Sequence, residues 1–114
     1  SDDDFYRIKK SEEELSNLKI TFKIRDLKLD DMDSDEQLNL VQVLKNVLSE
    51  SYNTNNVKVS LKNGSVIVEA ILENISQKNM SNVSMDQLAK LIEVSTGYTI
   101  EDLNIAETNV EEEE

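Results

Sequence analysis

Apolar and polar side chains alternate along much of this chain, and alternation with a period of two is the pattern of a β-strand with one buried face. The first such stretch starts near residue 18 with the apolar series Leu18, Ile20, Phe22 and Ile24. Leu27 and Leu29 are out of phase with this series. The shift predicts a β-bulge, or a change of direction, around Arg25-Asp26.

Two further stretches flank Asn63-Gly64, the dipeptide most typical of β-hairpin turns. The stretch before it has apolar residues at Val57, Val59 and Leu61, and the stretch after it covers residues 65–72. In the second stretch adjacent positions are apolar, as expected for a central strand covered at least in part on both faces. We therefore predict a hairpin with a two-residue type I′ turn at Asn63-Gly64.

Two helices are predicted from capping boxes, in which a serine accepts a backbone hydrogen bond from the third residue after it and a Gln side chain reaches back. One box pairs Ser34 with Gln37, and the other pairs Ser84 with Gln87. Turn-forming residues 51–56 are expected to end the first helix. Helical spacing predicts two buried faces, formed by Leu38, Leu40, Val41, Leu44, Val47 and Leu48 and by Leu88, Leu91 and Ile92.

A last strand is predicted after Gly97, over residues 98–106, with a second phase shift at Glu101-Asp102. The element order is β, α, β, β, α, β, and right-handed crossovers turn it into a ferredoxin-like βαββαβ sandwich of the α+β class. Its sheet is four-stranded and antiparallel, with two helices on one face. The predicted core contains Ile20, Phe22, Ile24, Leu44, Val59, Leu61, Val66, Val68, Leu88, Leu91 and Ile100.

A chain of 114 residues fits one domain. We predict that residues 18–106 form this domain, that residues 1–17 are an acidic linker or a loosely docked lead segment, and that residues 107–114 are an acidic tail. Ile67 and Ile71 fall on the strand face opposite the core. They are predicted either to form a partner surface on the open side of the sheet or to be covered by the lead segment.

The chain carries 24 acidic and 12 basic residues, for a net charge of −12. Residues 1–14 contribute −3 and the last four residues −4, so more than half of the excess lies at the two ends. An acidic surface with few aromatic side chains repels phosphates and offers few stacking platforms, so no nucleic-acid partner is expected. An anionic membrane surface is disfavoured, and no apolar run is long enough for direct membrane insertion.

The chain has no cysteine and no histidine. These absences remove disulfides, thiolate metal ligands, the usual zinc ligand and the commonest general base. With no Gly-rich phosphate loop and no paired carboxylates in an evident pocket, we expect no cofactor, no metal and no substrate-directed enzyme activity. The chain starts at Ser1 without Met or a signal peptide, so we expect a piece of a larger protein. The sequence predicts no particular oligomeric state.

The hairpin carries the run Gly64-Ser65-Val66-Ile67-Val68. With this run the chain resembles the SEA domain family, whose mark is a Gly-Ser-Val-Val-Val-like run at the start of the third strand of a βαββαβ sandwich. The likeness covers roughly residues 18–106 and includes a Phe-Lys-Ile type first strand at residues 22–24. The resemblance implies a structural or interaction module of an extracellular or cell-surface protein, with protein or glycan partners engaged through that parent protein.

Many SEA domains cut their own chain between that Gly and Ser, so the resemblance makes Ser65 the nucleophile and Gly64 the residue whose carbonyl is attacked. A serine hydroxyl that follows a twisted peptide bond can accept the acyl group, and water then opens the ester, with strain lowering the barrier. The two fragments are expected to stay associated. The alternative is that Asn63-Gly64 is a relaxed turn and Ser65 an ordinary strand residue.

Two other functions fit the same fold. Subtilisin-type propeptides share the βαββαβ plan, are often acidic, and act as chaperones and inhibitors of their protease, although the four glutamates at residues 111–114 are a poor cleavage-site mimic for most such enzymes. The other alternative is an intracellular ferredoxin-like scaffold domain without chemistry. N-glycan acceptor triplets also occur, and chance explains them best in a chain rich in Asn and Ser; they begin at Asn63, Asn74, Asn79 and Asn82.

Overall fold

The structure is a computed structural model that describes residues 14–62 and 64–109. This part of the chain forms, in order, β1 (Leu15–Lys28), a 3-10 helix (Leu29–Asp31), α1 (Ser34–Tyr52), β2 (Val57–Lys62), β3 (Ser65–Ser76), α2 (Gln77–Met80), α3 (Met85–Thr96) and β4 (Ile100–Asn109). Most of the predicted lead segment, residues 1–13, and the end of the predicted tail, residues 110–114, lie outside the described residues.

The four strands form one antiparallel sheet in the order β2-β3-β1-β4. This is the ferredoxin-like arrangement of the α+β class, so the predicted fold class is confirmed. β1 begins at Leu15 and β4 continues to Asn109, so the sheet extends beyond residues 18–106 at both ends. β3 also continues past residue 72 to Ser76, where the short helix α2 follows directly.

The helices and one face of the sheet enclose a single core. Its completely buried members include Ile20, Ile24, Leu44, Leu48, Val66, Val68, Ala70, Leu72, Leu88 and Ile92. Val59, Leu61 and Ile100, which were predicted in the core, are partly buried against it. Leu91 was predicted in the core as well, but its side chain is 45% exposed, so that prediction was wrong.

The buried faces of the helices are narrower than their sequence patterns predict. In α1 the buried residues recur at four-residue intervals, at Leu40, Leu44, Leu48 and Tyr52. Leu38 is 67% exposed because it lies about 200° around the helix from Leu40, and the two side chains cannot both face the sheet. In α3 only Leu88 and Ile92 are buried, and Leu91 lies about 100° from Ile92.

Both long helices begin with a capping box. In α3 the predicted box is confirmed, since Ser84 Oγ accepts a hydrogen bond from the Gln87 N–H (3.2 Å) and Gln87 Oε1 accepts one from the Ser84 N–H (2.9 Å). In α1 the box starts one residue earlier than predicted. There Asp33 accepts from the Glu36 N–H (2.8 Å) and Glu36 accepts from the Asp33 N–H (3.3 Å), an arrangement that places two carboxylates at the positive end of the helix.

Both predicted phase shifts are confirmed. Asp26 and Asp102 each have φ of 58°, a left-handed conformation that Asp tolerates better than most residues. The register of β1 against β3 shifts between Lys23 and Lys28, on either side of Asp26. This shift directs the end of β1 toward the tip of the β2–β3 hairpin.

Ion pairs cover part of the sheet face that is turned away from the helices. The Glu69 carboxylate lies 3.0 Å from Lys62 Nζ and 3.7 Å from Lys19 Nζ. The hydrogen bond from Lys62 lowers the pKa of Glu69, partial desolvation opposes this effect, and the charge of Lys19 adds to the lowering. A carboxyl whose pKa is lower in the folded state stabilises the fold above its unfolded-state pKa, and this stabilisation is lost as the pH falls through the folded-state pKa.

The Lys62→Met variant should therefore have a higher pKa at Glu69, because the largest cause of the lowering is removed. Carbon-detected NMR titration of the side-chain carboxyl measures this pKa directly. Lys45→Met on α1 is the control, and it should leave the Glu69 pKa unchanged. An unchanged pKa in Lys62→Met would contradict the assigned contact.

Candidate functional site

The hairpin between β2 and β3 has the Gly64–Ser65 peptide bond at its tip. Lys62 pairs with Ile67, so the strand pairing is symmetric about the bond between residues 64 and 65. A two-residue turn at Asn63-Gly64 would instead set Lys62 opposite Ser65, so the predicted register was wrong. The centre of the turn lies one residue later, at the bond that the SEA resemblance marks for cleavage.

The end of β1 holds this hairpin tip in place. Ser65 pairs with Lys28, and the Leu29 N–H donates a hydrogen bond to the Gly64 carbonyl oxygen (3.3 Å). The contact depends on the bulge at Asp26, because the chain changes phase there before it reaches the hairpin. A fixed donor beside a carbonyl oxygen stabilises the negative charge that develops there when the carbonyl is attacked.

Both residues of the candidate bond are exposed to solvent. Gly64 has φ of +86°, which a residue with a side chain rarely adopts, although the space around it is open. The Ser65 side chain is exposed, and the next residue, Val66, is completely buried. The Ser65 hydroxyl therefore lies in solvent, while the strand that begins with Ser65 is anchored in the core from its second residue, Val66.

A cleft of about 400 Å³ opens beside Ser65 on the β1 side. Its lining includes Asp26, Lys28 and Asp31, ionisable residues that sequence reasoning did not place near the hairpin. The phase shift after Ile24 was the one available signal, since it showed that this segment leaves the regular path of the strand. The cleft gives water access to the bond, and hydrolysis of an ester intermediate requires such access.

Across residues 14–62 and 64–109, no group of three or more Asp and Glu side chains is arranged to hold a metal ion. In that same part of the chain, no helix combines the length and the apolar character needed to cross a membrane. Among the asparagines of the glycan acceptor triplets, Asn63 lies outside the described residues, and the Asn82 side chain donates to that of Asn79 (3.3 Å).

These elements define the class of the protein, an α+β domain with a ferredoxin-like sheet and a serine-bearing hairpin tip. No family model, no curated protein and no solved structure matches the chain in comparisons with known proteins. The resemblance to SEA domains therefore depends on the hairpin residues and on the order of the elements, and membership of that family stays a prediction.

Proposed function

We propose that this domain is a structural and interaction module of the SEA type, which cuts its own chain once between Gly64 and Ser65 and keeps the two pieces together. The observation that carries the proposal is the position of that bond at the hairpin tip, with its carbonyl oxygen bonded to the Leu29 N–H. A bond at the tip can break without removing any pair of residues in the sheet. Ser65, the residue that follows this bond, has an exposed hydroxyl.

The reaction proceeds in two steps. Ser65 Oγ attacks the Gly64 carbonyl carbon, and the C–N bond between the two residues breaks as the Ser65 nitrogen takes up a proton, with the hydroxyl proton as its source. The product is an ester between the Gly64 acyl group and Ser65 Oγ, with a free amine on Ser65. Water then opens the ester, which leaves a carboxylate on Gly64 and restores the hydroxyl of Ser65.

The sheet order explains why the pieces stay together. The first piece contains β1, α1 and β2, and the second contains β3, α2, α3 and β4. Because the order in the sheet is β2-β3-β1-β4, strands of the two pieces alternate, and every neighbouring pair joins one piece to the other. Separation therefore requires all three strand pairings and the shared core to open together. The cut domain behaves as a joint that holds in native conditions and releases on unfolding.

Such a joint serves a larger protein at the cell surface or outside the cell, where it engages protein or glycan partners through that protein. The SEA resemblance supports this location, and the acidic surface and the scarcity of aromatic residues argue against nucleic-acid partners. The domain itself acts on no other substrate. Its chemistry is confined to one bond of its own chain.

The Leu29→Pro variant tests the role assigned to the backbone donor. Proline removes the Leu29 N–H, and its ring fits the first position of the 3-10 helix because Lys28 before it is extended (φ −114°, ψ 137°). Loss of one such donor should slow cleavage by about 100-fold or more. Cleavage is followed by denaturing gel or mass spectrometry after the protein is transferred to native buffer.

Leu29→Ala is the matched control, because it also removes the buried Leu29 side chain but keeps the N–H. It should cut far faster than Leu29→Pro, while circular dichroism confirms that both variants fold. Equal cleavage rates in the two variants would show that the hydrogen bond to Gly64 has no part in the reaction.

A further inference from the structure

Two rows of Lys, Ile and Lys cross the sheet face that is turned away from the helices. One row consists of Lys58, Ile71 and Lys19, and the other consists of Lys62, Ile67 and Lys23. β3 supplies the isoleucines, and the flanking strands β2 and β1 supply the lysines. We call these six residues the Lys-Ile face. Ile67 is 42% exposed although it lies on an inner strand.

The Lys-Ile face and its neighbours are positive in a chain whose net charge is −12. With Arg25, the described residues on this side of the sheet include five basic side chains and three acidic ones, Glu69, Glu73 and Glu101. Each acid already lies within 3.7 Å of a lysine on this face. Five bases share three acids, so these side chains carry a net charge of +2, beside two isoleucines on a face that no described element covers.

We propose that the acidic N-terminal segment of this chain, residues 1–13, binds the Lys-Ile face. The segment has five acidic and three basic residues, and three of the acids, Asp2, Asp3 and Asp4, stand together directly before Phe5 and Tyr6. These residues suit a surface of alternating lysines and isoleucines. The carboxylates can pair with the lysines, and the aromatic rings can pack on the isoleucines. The charge and apolar pattern of the face, and the point where the segment joins β1, carry the proposal.

The path of the chain allows this contact. Leu15, the first residue of β1, alternates with the buried Ser16, so it lies on the same side as the Lys-Ile face, and it is 43% exposed. Thirteen extended residues reach up to about 43 Å, whereas the distance along β1 from Leu15 to Lys23 is about 26 Å. The segment is long enough to fold back over both rows.

A tethered segment has an advantage over a separate acidic partner. A separate anion is repelled by a chain of net charge −12, whereas a short tether holds its segment at an effective concentration of about millimolar. The other acidic end, residues 110–114, matches the lysines but has only Val110 to pack on the isoleucines. The N-terminal segment is therefore the better match to this surface.

The test is paramagnetic relaxation in the full chain. The chain has no cysteine, so Ser1→Cys accepts a single nitroxide label. Methyl signals of Ile67 and Ile71 should lose most of their intensity relative to the reduced label, and the exposed methyl groups of Leu38 and Val94 on the helix side should keep theirs. The readout is the broadening on the sheet side in excess of that from an unbound tether, because the segment joins β1 on this side and favours it even when unbound.

Two further measurements make the result decisive. Replacement of all three aspartates, Asp2, Asp3 and Asp4, by Asn should lower the broadening on the sheet side to that of an unbound tether, as should high salt. An unchanged difference between the two sides in this variant would overturn the proposal. Equal broadening on both sides, or broadening confined to the helix side, would overturn the proposal. Broadening of unlabelled chains mixed with labelled ones would also overturn it, because a second copy would then be the occupant. A label at Glu114→Cys that broadens Ile67 and Ile71 more strongly would overturn it as well.

Discussion

The Leu44→Ala variant should lose about 2–5 kcal/mol of its free energy of unfolding. Leu44 is completely buried at the centre of α1, between the sheet and the other core residues. Truncation removes apolar contact area and leaves a cavity that the surrounding strands fill only in part. Urea unfolding followed by circular dichroism measures the loss, and the denaturant slope should change little.

Leu38→Ala is the matched control, because the same substitution is made in the same helix at a residue that is 67% exposed. It should change the free energy of unfolding by no more than about 0.5 kcal/mol. The pair distinguishes the observed face of α1 from the wider face that the sequence predicts. Similar losses in the two variants would contradict the orientation of the helix.

The Ser65→Ala variant should abolish cleavage and leave the fold intact. The variant loses the attacking hydroxyl, while the exposed position at the start of β3 makes little contribution to the core. Ser65→Cys supplies another nucleophile and should retain some cleavage. Denaturing mass spectrometry of folded samples, taken over time, records the fraction that has been cut.

Ser60→Ala is the control for the loss of a hydroxyl from the same hairpin. Ser60 is an exposed serine on β2, two residues before Lys62. This variant should cut at the rate of the unmodified chain. Cleavage that persists in Ser65→Ala would show that Ser65 is not the nucleophile. Cleavage that disappears in Ser60→Ala would show that the loss in Ser65→Ala is not specific to the Ser65 hydroxyl.

The element order and the fold class could be predicted because period-two alternation, capping boxes and breaks in phase are local signals. The register of the hairpin could not be predicted from such signals. Pairing Leu61 with Val66 or with Val68 keeps the same faces in the core, so the burial pattern permits either register. The choice depends on contacts between β1 and the hairpin tip, which are distant in the sequence.

The helix faces show a second limit of sequence patterns. Leu38 and Leu91 fit the apolar spacing of their helices, yet both are exposed. Which leucines are buried depends on how each helix is rotated on the sheet, and spacing alone allows several rotations when apolar residues cover a wide arc. The buried Tyr52 was likewise assigned to the turn after α1, because the polar residues around it resemble a loop.

The candidate site was predicted only in part. The resemblance identified Gly64 and Ser65, which are residues of one motif. The Leu29 N–H is a backbone group, and a sequence motif describes only side chains. It contacts Gly64 because the bulge in β1 changes the direction of the chain. A backbone contact between segments 35 residues apart leaves no signal in a single sequence.

The most direct measurement is the intact mass of the unmodified, freshly folded chain, in native buffer and after denaturation. We expect one particle in native buffer, with the mass of the whole chain plus the one water added by hydrolysis, and two fragments, residues 1–64 and 65–114, in denaturant. Deamidation at Asn63 leaves the chain whole and does not count as cleavage. A single full-length chain in denaturant, after prolonged incubation of the folded protein, would contradict self-cleavage at Gly64–Ser65.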